Sequence, residues 1–233
     1  MIEKLSVFLP CYNEEENIEN TALGVRKTLE EVAKEWELLI INDGSTDKSE
    51  EIAKKLNRSD PRIKVITHSK NQGYGATLST GFGSCRHPWI SFIDSDGQFD
   101  FGEIKNFLQK QQETNADLVI GYYKKRRVSF LKIVTSKIWE YTVFALFGLK
   151  VHDIDCGFKL ISKKVIDKIT PFESKRGAFI SSELLIKAKK AGFKISQIPV
   201  THYPRTKGTG TGRNLNVIIR SFADLLTLWR KLK

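Results

Sequence analysis

The sequence predicts an α/β fold built on a mostly parallel, doubly wound central sheet. Apolar runs alternate with amphipathic helical patterns through the first half, as in successive βαβ units. The chain has 233 residues, 40% of them hydrophobic and 28% charged, enough for one substantial core and too apolar for disorder. Polar turns rich in Asp, Asn and Gly directly follow several apolar runs. That is the expected character of the carboxyl edge of such a sheet, where open α/β folds place ligands.

The elements follow in order. Leu5–Leu9 is the first strand, an apolar run interrupted only by Ser6. Glu15–Lys34 carries a helical pattern behind an acidic start, which suits the positive end of a helix. Leu38–Ile41 is apolar at every position, the signature of a strand covered on both faces. Lys48–Leu56 is the next helix, with Ser45 or Asp47 available to cap it. Ile63–Thr67 is a strand, Ala76–Arg86 a helix, Trp89–Ile93 a strand, Phe101–Glu113 a helix and Leu118–Ile120 a strand.

After Gly121 the pattern changes. A basic cluster, Lys124-Lys125-Arg126-Arg127, precedes the apolar-rich segment Phe130–Leu149. A loop around Asp153–Gly157, a helix near Ser182–Ala191 and a strand near Lys194–Val200 come next. A Gly-rich basic loop, His202–Arg213, opens a final amphipathic helix. The expectation is one domain: a ligand-binding half at 1–121, a smaller lobe at 122–212 packed on it, and an amphipathic helix at 213–233.

Net charge of +11 points to an anionic partner; nucleic acid, acidic lipid and phosphorylated substrates all satisfy charge alone. Cys11, Cys85 and Cys156 lack C-x-x-C spacing, which argues for a reducing compartment and against a disulfide or zinc framework. The start at Met1 leads straight into a strand, so no signal peptide is expected. No run approaches the roughly 20 apolar residues that cross a bilayer. A cytoplasmic protein, peripheral on a membrane face, is the expectation.

Four strand-end motifs carry chemistry. Pro10-Cys11-Tyr12-Asn13-Glu14 ends the first strand and offers the Tyr12 ring for stacking and Glu14 as an acceptor. Asn42-Asp43-Gly44-Ser45-Thr46-Asp47 ends the second, with Asp43 placed for a ribose hydroxyl or base edge. Asn71-Gln72-Gly73-Tyr74-Gly75 precedes a helix. Asp94-Ser95-Asp96-Gly97-Gln98 ends the Trp89–Ile93 strand and makes an oxygen-rich claw suited to Mg2+ or Mn2+. Taken singly, each is also an ordinary polar turn. No G-x-G-x-x-G follows the first strand and no phosphate loop is present, which excludes the usual dinucleotide and P-loop readings.

Together and in this order, the four motifs resemble the family 2 glycosyltransferases of the GT-A fold. The resemblance implies a nucleotide-diphosphate sugar, GDP- or UDP-linked, bound at this sheet edge by Pro10, Tyr12, Asn13, Glu14, Asp43, Asp94, Ser95 and Asp96. It implies Mg2+ or Mn2+ held by Asp94, Asp96 and Gln98. Asn42 departs from the second Asp that many relatives carry. The second half looks most like dolichol-phosphate mannose synthase and related polyprenyl-phosphate glycosyltransferases, through Asp153-Ile154-Asp155-Cys156-Gly157-Phe158-Lys159, Glu183-Leu184-Leu185, Pro199-Val200 and Tyr203-Pro204-Arg205. That likeness implies Arg205 and Lys207 at the donor diphosphate, although the loop after Thr206 departs from the synthases' usual one. Lys137 stands where relatives often carry Arg; it keeps the charge and loses the bidentate fork.

The implied reaction is inverting transfer of a sugar to a polyprenyl phosphate, with Asp96, Asp155 and Arg205 in the catalytic set. Negative charge developing on the departing diphosphate calls for a metal and one or two cations. An ionised phosphate acceptor needs positioning cations, for which Lys124, Arg126, Arg127 and Lys137 are candidates. A sugar-hydroxyl acceptor would instead need a base, and Asp155 is the candidate. Phe130–Leu149 and the final helix, with Phe222, Leu226 and Trp229 on one face, suit a membrane surface; packing on the sheet or on another subunit is the alternative. A nucleic-acid-binding module is the rival of another class. The basic residues are scattered among apolar helices without a nucleic-acid signature, so no nucleic-acid partner is expected. Sugar identity, base identity and oligomeric state have no sequence signal.

Overall fold

The structure is a computed structural model that describes residues 1–124, 130–174, 177, 179–205, 207 and 215–232, with the side chains of 130–134 and 215–220 outside the description. The first half runs β1 (Ile2–Cys11), α1 (Ile18–Val32), β2 (Ala33–Asn42), α2 (Ser49–Ser59), β3 (Ile63–Thr67), α3 (Tyr74–Ser84) and β4 (Trp89–Phe92). A 3-10 turn at Phe101–Glu103 then leads into α4 (Ile104–Thr114) and β5 (Leu118–Tyr123). The second half adds α5 (Phe130–Phe147), β6 (Lys159–Ser162), α6 (Lys163–Ile169), α7 (Phe179–Lys190), β7 (Ile195–Val200) and α8 (Leu215–Leu232).

Alternation along the strands builds the two layers. In β1, Leu5, Val7 and Leu9 join the core under α1, α2 and α4, whereas Phe8 joins the core on the opposite face. In β2, Leu38 and Ile40 point one way and Leu39 and Ile41 the other. With a period of two and apolar residues at both phases, each strand is covered on both faces. The second core centres on Phe8, which stacks on Phe92 at 5.1 Å and meets Phe82 edge-on at 5.1 Å. Gly81 of α3 permits this approach, because a Cβ there would lie 2.5 Å from the Phe8 ring.

The seven strands are ordered β3-β2-β1-β4-β6-β5-β7. All neighbours pair in parallel except β6, which is antiparallel to both β4 and β5. The mostly parallel sheet flanked by helices is the predicted class. The chain steps outward from β1 to β2 and β3, then returns to the other side of β1 as β4. The carboxyl ends of β1 and β4 therefore flank a topological switch point, the expected place for a ligand.

The sequence reading missed β6 and α6. β6 has only four residues and opens with Lys159, a residue type depleted in strands. Here Lys159 is fully buried. Its ammonium donates to the Cys156 carbonyl and lies 5.6 Å from the centre of the Phe92 ring. Burial pulls its pKa down, while Cys156, Asp155, Asp153 and Asp94 pull the other way. No helix among the described residues is long and apolar enough to cross a membrane.

Candidate active site

The ends of β1 and β2 are knitted together. Asn13 adopts a left-handed backbone (φ 55°), which Asn tolerates better than most residues. Its side-chain oxygen accepts from the Thr46 amide at 2.8 Å, and its own amide donates to Ser45 Oγ at 3.0 Å. Glu14 N donates to Ser49 Oγ at 2.8 Å, Glu15 N to Asp47 Oδ2 at 3.1 Å, and Lys48 N returns to Glu15 Oε2 at 2.9 Å. Two polar turns thus become one rigid platform. Tyr12 stands on it with its ring partly in solvent.

Asp43 directly follows β2 and is almost fully buried. Its Oδ1 accepts from His68 Nδ1 at 2.7 Å and Gln72 N at 2.9 Å; its Oδ2 accepts from Gly73 N at 2.8 Å. These bonds fasten the β3–α3 loop against the β2 turn. Gly44 makes the approach possible: its φ is +64°, and a Cβ there would lie 2.6 Å from the Lys70 carbonyl carbon. Asn42, buried beneath, accepts from Ser45 Oγ at 2.6 Å and leaves its Nδ2 without a hydrogen-bond partner.

The fastened loop starts α3 at Tyr74, whose hydroxyl donates to Asp94 Oδ1 at 2.9 Å. On the other side of Asp94 lies Gly157, where a Cβ would fall 2.4 Å from Asp94 Oδ2. The Asp94 carboxylate is therefore held between a phenol and a bare backbone. Burial, followed by the negative charge of Asp96, pushes its carboxyl up to about 7. Ser95 is buried and its hydroxyl donates to the Pro10 carbonyl at 2.7 Å, tying the β4 end to the β1 end. Asp96 Oδ1 accepts from the Gln98 amide at 3.1 Å.

The segment after β7 crosses this turn. Tyr203 N donates to Gln98 O at 2.9 Å, and Gln98 Nε2 donates to Tyr203 O at 2.8 Å. Thr201 N binds the Glu103 carboxylate at 3.1 Å, and His202 packs 5.3 Å from Phe99 and 4.6 Å from Tyr123. Arg205 ends the crossing. Its Nη2 donates to Glu14 at 2.6 and 2.8 Å, its Nε donates to the Lys207 carbonyl at 2.8 Å, and its Nη1 lies 3.6 Å from Asp96 Oδ2. One guanidinium thus bridges the β1 motif and the β4 motif.

The structure therefore brings Glu14, Asp94, Asp96, Gln98 and Arg205 together. Asp43 and Ser95 lie at the same edge, engaged by protein donors and acceptors. Asp153, buried, accepts from the Asp155 amide at 3.0 Å, and Asp155 itself is exposed in the loop that delivers Gly157 to Asp94. Lys207 and Lys124 are exposed, and Lys137 is exposed on α5 with its ammonium 2.6 Å from Glu140. Arg126 and Arg127 lie outside the described residues. Sequence reasoning missed Tyr74, Gly157, Lys159 and His68. Tyr74, Gly157 and Lys159 stood within quoted motifs; nothing in the sequence marked His68.

Asp94 and Asp96 fit a divalent cation. Burial and the neighbouring charge of Asp96 make ionised Asp94 costly, and a hard cation would relieve that cost. No cluster of three His, Cys, Asp or Glu side chains occurs among the described residues. Such a donor set suits Mg2+ or Mn2+, which complete their shells with water and substrate phosphate, rather than a closed structural zinc site.

Comparison with known proteins bears on this edge directly. The family model described as glycosyl transferase family 2 matches residues 6–170, covering all four strand-end motifs. A dolichyl-phosphate beta-glucosyltransferase of Trichomonas vaginalis is 30% identical over 96% of this chain and 72% of its own length. A dodecaprenyl-phosphate galacturonate synthase of Rhizobium johnstonii is 26% identical over 97% of this chain and 66% of its own length. The chain thus spans about two thirds to three quarters of these relatives. Among solved structures, glucosyl-3-phosphoglycerate synthase from Mycobacterium tuberculosis in complex with UDP superposes with a TM-score of 0.76. It is 20% identical, over 97% of this chain and 80% of its own, and establishes the likeness of fold. The same enzyme has been solved with Mn2+ and UDP and with Mg2+ and UDP. The matched motifs, the sheet order and the site geometry agree: this chain belongs to glycosyl transferase family 2.

Proposed function

We propose that this glycosyltransferase moves a sugar, with inversion, from a nucleotide-diphosphate sugar to a polyprenyl phosphate at a membrane surface. The observation that carries the donor half is the convergence of Asp94, Asp96, Gln98 and Arg205. Two acidic groups and an amide oxygen form a cation seat, and a guanidinium stands 3.6 Å from Asp96. A divalent cation there supplies electrophilic stabilisation of the diphosphate oxygens. Arg205 is positioned to take up the leaving diphosphate by exchanging its Glu14 partner for phosphate oxygens. Tyr12 offers the base a stacking face, and Tyr74 keeps Asp94 oriented.

The acceptor half is supported by the two prenyl-phosphate relatives, whose likeness extends over nearly the whole chain. A phosphate monoester is ionised near neutral pH and attacks the anomeric carbon without a base, so cations rather than a carboxylate serve it. Membrane placement is supported by α5, which exposes Ile138, Tyr141 and Phe144 at helical spacing beside Lys137. An apolar stripe with aromatic anchors and flanking cations suits a headgroup layer.

A second reading has one observation in its favour: exposed Asp155 sits on the loop packed against Asp94, where it could serve as base for a hydroxyl acceptor. Transfer assays with extracted polyprenyl phosphate and with soluble sugar acceptors, both with Mn2+, separate the two. Our reading expects turnover on the lipid phosphate. Turnover on hydroxyl acceptors alone would sink it.

A further inference from the structure

Lys159 is a fully buried cation at the base of the Asp94 turn. Its register partner is Phe92, the last residue of β4 and two positions before Asp94. Its ammonium lies 5.6 Å from the centre of the Phe92 ring, within cation–π reach. The same ammonium donates to the carbonyl of Cys156, the residue before Gly157. It makes no salt bridge among the described residues. Burial makes the charge costly, and Cys156 with Asp155, Asp153 and Asp94 offsets only part of that cost. An apolar side chain of the same length would fill the space without it. What the ammonium adds is its hold on a turn.

That turn is pinned on its other sides by packing. Cys156 and Phe158 are both buried in the core under α1 and α4. Phe158 stacks on Phe107 at 4.3 Å, and its carbonyl accepts from Gly121 N at 2.9 Å. A Cβ on Gly121 would lie 2.9 Å from Cys156 Sγ, so the thiol is pressed onto β5. The Cys156 carbonyl has no other hydrogen-bond donor among the described residues, and Lys159 reaches back three positions to meet it. The bond closes the turn around Gly157, whose bare backbone walls Asp94 Oδ2. One ammonium thus touches both the end of β4 and the wall facing Asp94. We propose that Lys159 is a positioning residue for the metal seat: it closes the 156–159 turn, holds Gly157 against Asp94 and so fixes that carboxylate for a divalent cation. The inference rests on the donor site of the proposed function and adds a residue that touches neither metal nor substrate.

The test follows binding of UDP and of GDP to the full chain by calorimetry over a series of Mn2+ concentrations, with a melting curve for each variant. Lys159→Met keeps the apolar stem and removes the donor. It is expected to raise the Mn2+ concentration for half-maximal nucleotide binding by about ten- to a hundredfold, the usual cost of losing a partner that orients a metal ligand. Lys159→Arg, which keeps a cationic donor, is expected to restore it to within about threefold. Added to Gly157→Ala, Lys159→Met is expected to cost less than about threefold further, because both act through one wall. Should Lys159→Met fail to fold, Lys159→Gln, whose amide ends short of the carbonyl, is expected to shift the Mn2+ dependence in the same direction. A folded Lys159→Met or Lys159→Gln chain with wild-type Mn2+ dependence overturns the inference even if its Tm falls, because a residue serving stability alone would give that result. So does a double variant whose cost is the full product of the single ones. Wild type that binds neither nucleotide in a Mn2+-dependent way overturns the donor-site reading, and the inference with it.

Discussion

Gly157→Ala is the most local perturbation that the site geometry offers. The new methyl carbon would lie 2.4 Å from Asp94 Oδ2 and 3.0 Å from its Cγ. Ordinary contact begins near 3.4 Å, so the carboxylate must retreat by about 1 Å. It cannot retreat without disturbing the 2.9 Å bond from Tyr74. A misplacement of about 1 Å in a reacting constellation costs on the order of a hundredfold in rate. Stability changes far less. The backbone at 157 is not left-handed, so Ala is unstrained and gains about 0.4–1 kcal/mol through the unfolded state. Weakening the Tyr74 bond to a carboxylate costs about 1.5–3 kcal/mol, leaving a net loss of about 1–2 kcal/mol. The assay is initial rate against Mn2+ concentration, with a melting curve alongside. We expect a rate about a hundredfold lower, a raised half-saturating Mn2+ concentration and a modestly lower Tm. A folded Gly157→Ala enzyme with wild-type rate and Mn2+ response would refute the sandwich around Asp94 as a working part of the site.

Four other outcomes are expected. Asp94, raised to about 7, binds a proton in the metal-free native state at pH values where the unfolded chain has lost it. The contribution of this carboxyl to stability therefore falls as pH rises from about 4 through about 7. The rise in Tm on adding Mn2+ should accordingly grow from pH 6 to pH 8, and a pH-independent increment would count against it. Arg205→Lys removes the fork that holds Glu14 at 2.6 and 2.8 Å and should raise donor KM about tenfold; an unchanged KM would argue against a diphosphate role. Asp155→Asn should leave kcat on polyprenyl phosphate within about threefold, whereas loss of a general base costs about a hundredfold or more. Replacing both Tyr141 and Phe144 by Glu should release the protein from anionic vesicles in a flotation assay without changing Tm; retained binding would place the membrane contact elsewhere.

The edge of the sheet was legible because the signals there are local. Apolar runs such as Leu38–Ile41 declare a strand covered on two faces, and Asp, Asn and Gly directly after them declare its carboxyl end. β6 was not legible. Its four residues are fewer than a periodicity needs, and Lys159 reads as a surface residue until the Cys156 carbonyl and the Phe92 ring are seen around it. Contacts between distant parts of the chain were equally hidden. Arg205 meets Glu14 across 191 positions, and His68 meets Asp43 across 25. No spacing rule links those residues; only the order of the strands does. Gly157 was quoted for its motif, yet its closeness to Asp94 follows from the turn into β6, which the sequence reading did not contain.

The placement of β6 also governs how the protein can be made. β4 and β5 are not neighbours; each pairs with β6, whose residues follow β4 by about 70 positions. A nascent chain that has reached Tyr123 therefore carries two strands with open hydrogen-bonding edges and no partner yet synthesised. Such edges invite pairing with other chains, and sheets closed by distant segments form slowly. A fragment ending near residue 121 should aggregate rather than bind nucleotide, although it carries all four strand-end motifs. The sheet around the donor site closes only once β6 has docked.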